Sequence, residues 1–235
     1  MINYFILNGK KSRDYGLYIT GSGAFDAPER DVEVIEVPGR NGNLIIDKGR
    51  FKNVTQSYKA FIHKDFAANA ENVRAWLLSN RGYCRLEDTY NPQSYRMARF
   101  VGPLNFNVRA LCAGAELELR FDCKPQRFLK SGEQTVRFTS AGLLRNPTAF
   151  DSLPLLKIVG TEAGSLTIGE HTIQISSLSG HIMIDCELQD SYLGRTSKND
   201  VVSLTDFPSL LPGENTVKFT GGITAVEITP RWWTL

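Results

Sequence analysis

The sequence predicts a mainly β protein of two modules, and three observations carry that prediction. Apolar and polar residues alternate with a period of two over most of the chain. Only one segment has helical periodicity. A break containing proline and glycine, where the charge balance changes sign, falls near residue 130.

The elements follow in order. Near the start, the apolar stretch is only Tyr4 to Leu7, shorter than a signal peptide or a membrane span needs. Strands over 32–37 and 43–47 flank Val37-Pro-Gly-Arg-Asn-Gly-Asn43, where Asn41-Gly42 suits a tight hairpin turn. From Phe66 to Ser79, Phe66, Ala70, Val73 and Leu77 recur at spacings of three and four, one apolar stripe of a helix. Asp65 or Asn69 is placed to cap its start, Gly82 to mark its end, and Arg81 to favour the negative end of its dipole. In Glu116 to Cys123, Leu117, Leu119, Phe121 and Cys123 share one face of a strand and the charged residues share the other. The strand is expected to end at Cys123, because Pro125 stops pairing. Beyond Val136, short strands are expected at about 155–160, 165–169, 171–176, 181–188, 215–220 and 223–229. In the fourth of these, Ile182, Ile184, Cys186 and Leu188 point inward, and Gly221-Gly222 reads as the hairpin turn joining the last two. One helix cannot supply the crossovers of a parallel sheet, so the strands pair mainly antiparallel, as two sandwiches covering 1–130 and 131–235.

Composition bounds the function classes. With 235 residues, 42% apolar and 22% charged, the chain is globular, and its length suits one large or two small domains. The net charge of +2 divides into +5 for residues 1–129 (19 basic, 14 acidic) and −3 for the rest (8 basic, 11 acidic). No basic run forms a nucleic-acid stripe. Cys84, Cys112, Cys123 and Cys186 make no C-x-x-C pair and read as free thiols, Cys123 and Cys186 on apolar faces. No apolar run suits a signal peptide or a membrane span, so the expectation is a chain that folds where it is made or leaves the cell by a route other than its own signal.

Motifs for chemistry are sparse. His63, His171 and His181 fall in no metal-binding spacing. Asp185 and Glu187, like Glu116 and Glu118, read as the exposed polar face of a strand rather than as an acid/base pair. Asn8-Gly-Lys-Lys-Ser12 lacks the upstream glycine of a phosphate loop. No nucleophile elbow is present, so no catalytic residue, metal or cofactor is assigned. Two features stand apart. One is the Pro38, Gly39, Arg40, Asn41, Gly42 turn with Ile45 and Ile46 after it. The other is the aromatic pair Trp232 and Trp233, expected mainly as core or domain packing.

Together these residues resemble the distal tail protein (Dit) family of long-tailed bacteriophages. The front of the chain carries Glu36-Val-Pro-Gly-Arg-Asn-Gly-Asn43, then Leu44 to Asp47, then Gly49-Arg-Phe-Lys-Asn53. Trp76-Leu77, Gly82, Leu86 and the strand into Phe121-Asp-Cys-Lys-Pro-Gln126 follow in the family's order. The back half adds Asn146-Pro147, Pro154-Leu-Leu-Lys-Ile158, Ile184-Asp185, Phe207-Pro-Ser-Leu210, Pro212-Gly-Glu-Asn215 and Pro230-Arg-Trp-Trp233. Phe51 stands where the family usually has tyrosine, and the compact back half leaves no room for the long arm of some relatives.

The resemblance implies a tail-tube-like N-terminal β-sandwich with one helix, which forms the ring, and a galectin-like C-terminal sandwich. It implies a structural, non-enzymatic homo-hexameric hub at the virion tail tip, assembled in the host bacterial cytoplasm. Its partners would be the tail-tube protein, the tail-associated fibre or lysin protein, the tape-measure end, and receptor-binding or baseplate proteins. DNA would pass through the lumen without specific binding, and no membrane is involved. The Pro38–Asn53 segment is then the expected ring or tube contact. The alternatives are a carbohydrate-binding module using Tyr192, Trp232 and Trp233, and a cell-wall hydrolase, for which no acid pair or metal set is found.

Overall fold

The computed structural model describes residues 2–23, 26–109 and 114–235; Cys112 lies outside them. The chain divides into two compact units, Met1–Arg127 with Leu235, and Phe128–Thr234. Among the described residues no helix is long and apolar enough to cross a membrane.

In the first unit the strands are β1 (Phe5–Leu7), β2 (Lys10–Lys11), β3 (Leu17–Thr20), β4 (Arg30–Ile35), β5 (Leu44–Phe51), β6 (Val54–His63), β7 (Cys84–Asp88), β8 (Ser94–Phe100), β9 (Asn107–Arg109) and β10 (Gly114–Leu129), with helix α1 (Phe66–Ser79) between β6 and β7. The main sheet runs β2-β1-β7-β8-β10-β6-β3, with β9 added on β10. It curls until β3 returns to the chain entering β1: the Ile19 amide donates to the Asn3 carbonyl at 3.0 Å. The curl follows from alternation. Tyr58, Ala60 and Ile62 of β6 and Leu117, Leu119 and Phe121 of β10 all point inward, and a shift of one residue would turn each set to solvent. Pairing of β10 with β6 ends at Cys123, but the strand runs on to Leu129. The expected stop at Pro125 is therefore a loss of one partner strand, not the end of extended backbone.

Helix α1 buries Ala70, Val73, Trp76 and Leu77 on this core, and Trp76 stacks on Phe5 at 5.5 Å and on Tyr15 at 4.7 Å. Its caps differ from expectation. Asp65 holds the N-cap position without a side-chain bond, while the Asn69 side-chain amide donates to the Lys64 carbonyl. At the other end the Asn80 amide donates to the Trp76 carbonyl, so asparagine closes the helix before Gly82 is reached.

The second unit contains β11 (Val136–Phe138), β12 (Gly142–Asn146), β13 (Leu155–Ile168), β14 (His171–Ile175), β15 (Gly180–Asp185), β16 (Asp190–Leu193), β17 (Thr196–Ser197), β18 (Val202–Leu204), β19 (Gly213–Thr229) and β20 (Trp233–Thr234). Here the sequence reading needs correction. The expected strands at 155–160 and 165–169 are one strand, and those at 215–220 and 223–229 are another. Gly221-Gly222 is not a hairpin but an irregularity in the long β13–β19 pair. The reason is steric. A side chain on Gly160 would lie 2.3 Å from the Gly222 carbonyl oxygen, and one on Gly222 would lie 2.5 Å from Glu162 Cβ. The glycines let two backbones cross a bend that no other residue fits. Beyond the bend the strands change partners: β15 and β11 pair on one side, β14 and β12 on the other. One sheet thereby supplies both layers around a core of Leu156, Ile158, Leu166, Ile168, Ile173, Ile184, Val226 and Ile228.

A second correction concerns β15. It ends at Asp185, so Leu188 is 72% exposed rather than inward, whereas Ile182, Ile184 and Cys186 are buried as expected. Burial pushes the thiols of Cys123 and Cys186 up to about 11 and about 12.

Candidate functional site

The segment Pro38–Asn53 belongs to a two-stranded ribbon, β4 with β5, that forms a sheet of its own. Val34 pairs with Ile45, Ile35 with Leu44, and Glu33 with Ile46. Opposed residues share a face and successive ones alternate. One face therefore carries Val32, Val34 and Ile45, and the other carries Ile35, Leu44 and Ile46. Val34 is 54% exposed and Ile45 63%. An isolated two-stranded ribbon is marginal in water, and this one carries apolar side chains on both faces.

The tip carries Pro38, Gly39, Arg40, Asn41 and Gly42, all exposed. The Arg40 amide donates to the Val37 carbonyl at 3.1 Å, and Gly39 and Gly42 take φ of 78° and 81°, where a side chain is strained.

The base explains the residues that follow the tip in sequence. Asp47 accepts from the Gly49 amide at 2.8 Å and from Arg30 at 2.6 Å, which together hold its carboxyl below the ordinary value. Gly49 takes φ of 69° at that turn of the strand. Arg50 donates to Asp31 at 2.7 Å and lowers its pKa. Asn53 then donates to the Tyr83 hydroxyl at 2.6 Å and to Asp122 at 2.9 Å, while Tyr83 and Arg99 donate to the second Asp122 oxygen. Burial opposes charge on Asp122, but these bonds outweigh it and lower its pKa. The described side-chain bonds of the ribbon thus gather at its root rather than at its tip. Sequence reasoning singled out the Pro38–Asn53 segment and, in a separate motif, Asp122; it missed Asp31, Tyr83 and Arg99, which lie far apart in the chain.

The aromatic set is not gathered. Trp232 lies in the second core at 5% exposure. Trp233 donates its indole N–H to the Asp151 carbonyl at 2.8 Å and stacks on Phe150 at 4.5 Å. Tyr192 sits on β16 opposite Met183, and no ring contact joins it to either tryptophan. A cavity in this unit is lined by Glu170, His171, Thr172, Thr205 and Asp206, without an aromatic platform.

Asp185 is not on an exposed polar face. It is buried at the strand end, takes both guanidinium nitrogens of Arg231 at 2.7 and 2.8 Å, and accepts from the Glu187 and Leu188 amides. Its lone pairs are engaged in structure. Among the described residues no three His, Cys, Asp or Glu side chains gather as a metal site.

No protein-family model matches the chain, and no curated protein matches it significantly. Solved structures do. The Dit protein (gp 19.1) of phage SPP1, described as a paradigm of the hub adsorption apparatus in phages infecting Gram-positive bacteria, aligns over 100% of both chains with a TM-score of 0.78 at 12% identity. Chains from the phage P2 baseplate, in its activated conformation with calcium or strontium, align with TM-scores of 0.53 and 0.51 at 9% and 8% identity, covering 97% of this chain and 97% or 98% of theirs. The chain has the mainly β fold of the phage distal tail protein from end to end.

Proposed function

We propose that this chain is a distal tail protein: a structural, non-enzymatic component of the virion tail tip that closes into a hexameric ring between the tail tube and the tail-tip fibre or baseplate. The observation that carries the reading is the fold likeness over the whole of both chains, joined to a ribbon with uncovered apolar side chains on both faces. In this reading residues 1–130 form the ring and 131–235 a galectin-like sandwich.

A ring joins unlike surfaces head to tail, so each subunit offers one surface and receives another. The β4–β5 ribbon is the offered surface, with Ile45, Ile46 and Arg40 in the contact. The tail-tube protein and the fibre or lysin protein sit on opposite ring faces. The tape-measure end, and later DNA, pass through the lumen, with receptor-binding or baseplate proteins attached outside. Assembly takes place in the host cytoplasm.

Particle mass and shape test the reading. Six chains of 26.2 kDa give about 157 kDa, and negative-stain images should show a ring with a central hole. A purified chain that stays monomeric both alone and with its tail-tube partner would overturn it.

A further inference from the structure

One end of the first unit's core breaks the apolar pattern. Ser94 and Arg96 share the inward face of β8 with Ala98, and Gln56 takes an inward position on β6 between Val54 and Tyr58. Gln56 is 6% exposed and Arg96 7%. These positions otherwise go to aliphatic or aromatic residues, and polar groups there lose hydration that something must restore.

Within the protein it is only partly restored. Arg96 donates one bond, from Nη1 to the Pro125 carbonyl at 3.0 Å, although its guanidinium carries five N–H donors. The Gln56 Nε2 is buried with no partner. Asp88 is nearby but committed: one oxygen accepts the Tyr58 hydroxyl at 2.7 Å, the other the Tyr90 and Asn91 amides at 2.9 and 2.8 Å. Burial and the neighbouring Arg127 both pull the Arg96 guanidinium below its ordinary value, the mark of a cation short of a counter-charge.

These side chains line one cleft. Gln56, Tyr58, Ser94 and Arg96 form its wall, and half-buried Asp88, Asn91 and Arg127 line it with them. The space open to the centre of a water molecule is about 20 Å³, enough for one or two oxygen-sized atoms.

We propose that this cleft is a binding site for a single carboxylate, held by Arg96, Arg127 and the Gln56 amide. Two cations against one committed carboxylate call for a negative charge. The planar guanidinium fork matches a carboxylate, and the free Gln56 N–H supplies a further donor. A free acid and the side chain of a docked protein present the same head. The site does not depend on the tail-tip assignment.

The test uses the full chain and the Gln56 side-chain amide signals in NMR. Sodium acetate, titrated against sodium chloride at equal ionic strength, should shift these signals saturably, and acetamide should not. Arg127→Ala should weaken acetate by about tenfold. Gln56→Leu, which keeps side-chain size, should remove the thermal upshift that acetate gives the native chain. Blocked aspartate binding more tightly than acetate would support a protein side chain as the natural occupant, and equal binding a free acid. The proposal is overturned by a non-saturable acetate response, by an equal response to acetamide (a water site), by tighter binding of phosphate, or by an Arg127→Ala chain that binds acetate unchanged.

Discussion

The two units treat polarity in opposite ways. In the second, the buried amides and the buried carboxylate hold the structure closed on itself. Asn146 donates to the Phe150 and Leu210 carbonyls, Asn215 to that of Leu211, and Asp185 is clamped by Arg231. In the first, Gln56 and Arg96 are buried with donors to spare, while Val34 and Ile45 stand in solvent. The second unit bonds its buried asparagines and Asp185 within itself, although its buried Ser152 and Ser191 hydroxyls have no partner among the described residues and Leu188 is 72% exposed. The first leaves a polar cleft inside and an apolar ribbon outside, and incomplete surfaces are where a partner contributes. Variants that open the closed unit should therefore cost stability, and variants in the open one should cost association.

The largest effect should come from Arg231→Ala. It leaves Asp185 charged, buried and without its fork, at about 3 kcal/mol by the usual cost of breaking a buried pair. Urea denaturation would measure it. The same pair predicts a pH dependence. The Arg231 bonds hold the Asp185 carboxyl below its ordinary 3.8. Its stabilisation is therefore full above the unfolded value and is lost as pH falls through the lower folded value. The native chain should lose stability below about pH 4 more steeply than Asp185→Asn; parallel acid profiles would break the comparison.

An intermediate effect is expected at the ribbon's root. Asn53→Ala removes two donors from the Tyr83–Asp122 network and should cost about 1 kcal/mol. Its sharper signature is local: amide exchange in β4 and β5 should quicken while exchange in β13 and β19 stays unchanged.

What the sequence could disclose follows from the range of each interaction. Alternation is local, so β10 and β15 up to Cys186 were legible with their inward faces, and so was the stripe of α1. Gly221-Gly222 was misread because a two-glycine turn and a two-glycine bend look alike until the opposing Gly160 is known. Leu188 was misread because alternation does not announce where a strand stops. Asp185 and Arg231 were each noticed, as parts of separate motifs, but pairing across 46 residues leaves no periodic trace. The resemblance reached further than the physics at the ribbon. It selected Asp47, Gly49 and Asn53, and the bonds at the root now give each a task.

The smallest stability effect should be the most telling. Ile45 is 63% exposed, and Arg40 lies in the exposed tip, where its side chain makes no bond among the described residues. Ile45→Ser and Arg40→Glu should each leave the monomer's stability within about 0.5 kcal/mol, the range of surface substitutions. If the ribbon is the offered surface of a ring, the same changes act at every subunit junction. A loss of about 1 kcal/mol per contact is compounded six times on closure, so the hexamer should give way to smaller species in sedimentation. A ring that forms as well with both substitutions as without them would place the contact elsewhere. The apolar ribbon would then be an exposed liability with no partner, which its root argues against: a loop free to drift does not need Arg50 and Arg30 to clamp its two strands together, or Asn53 to bond Tyr83 and Asp122.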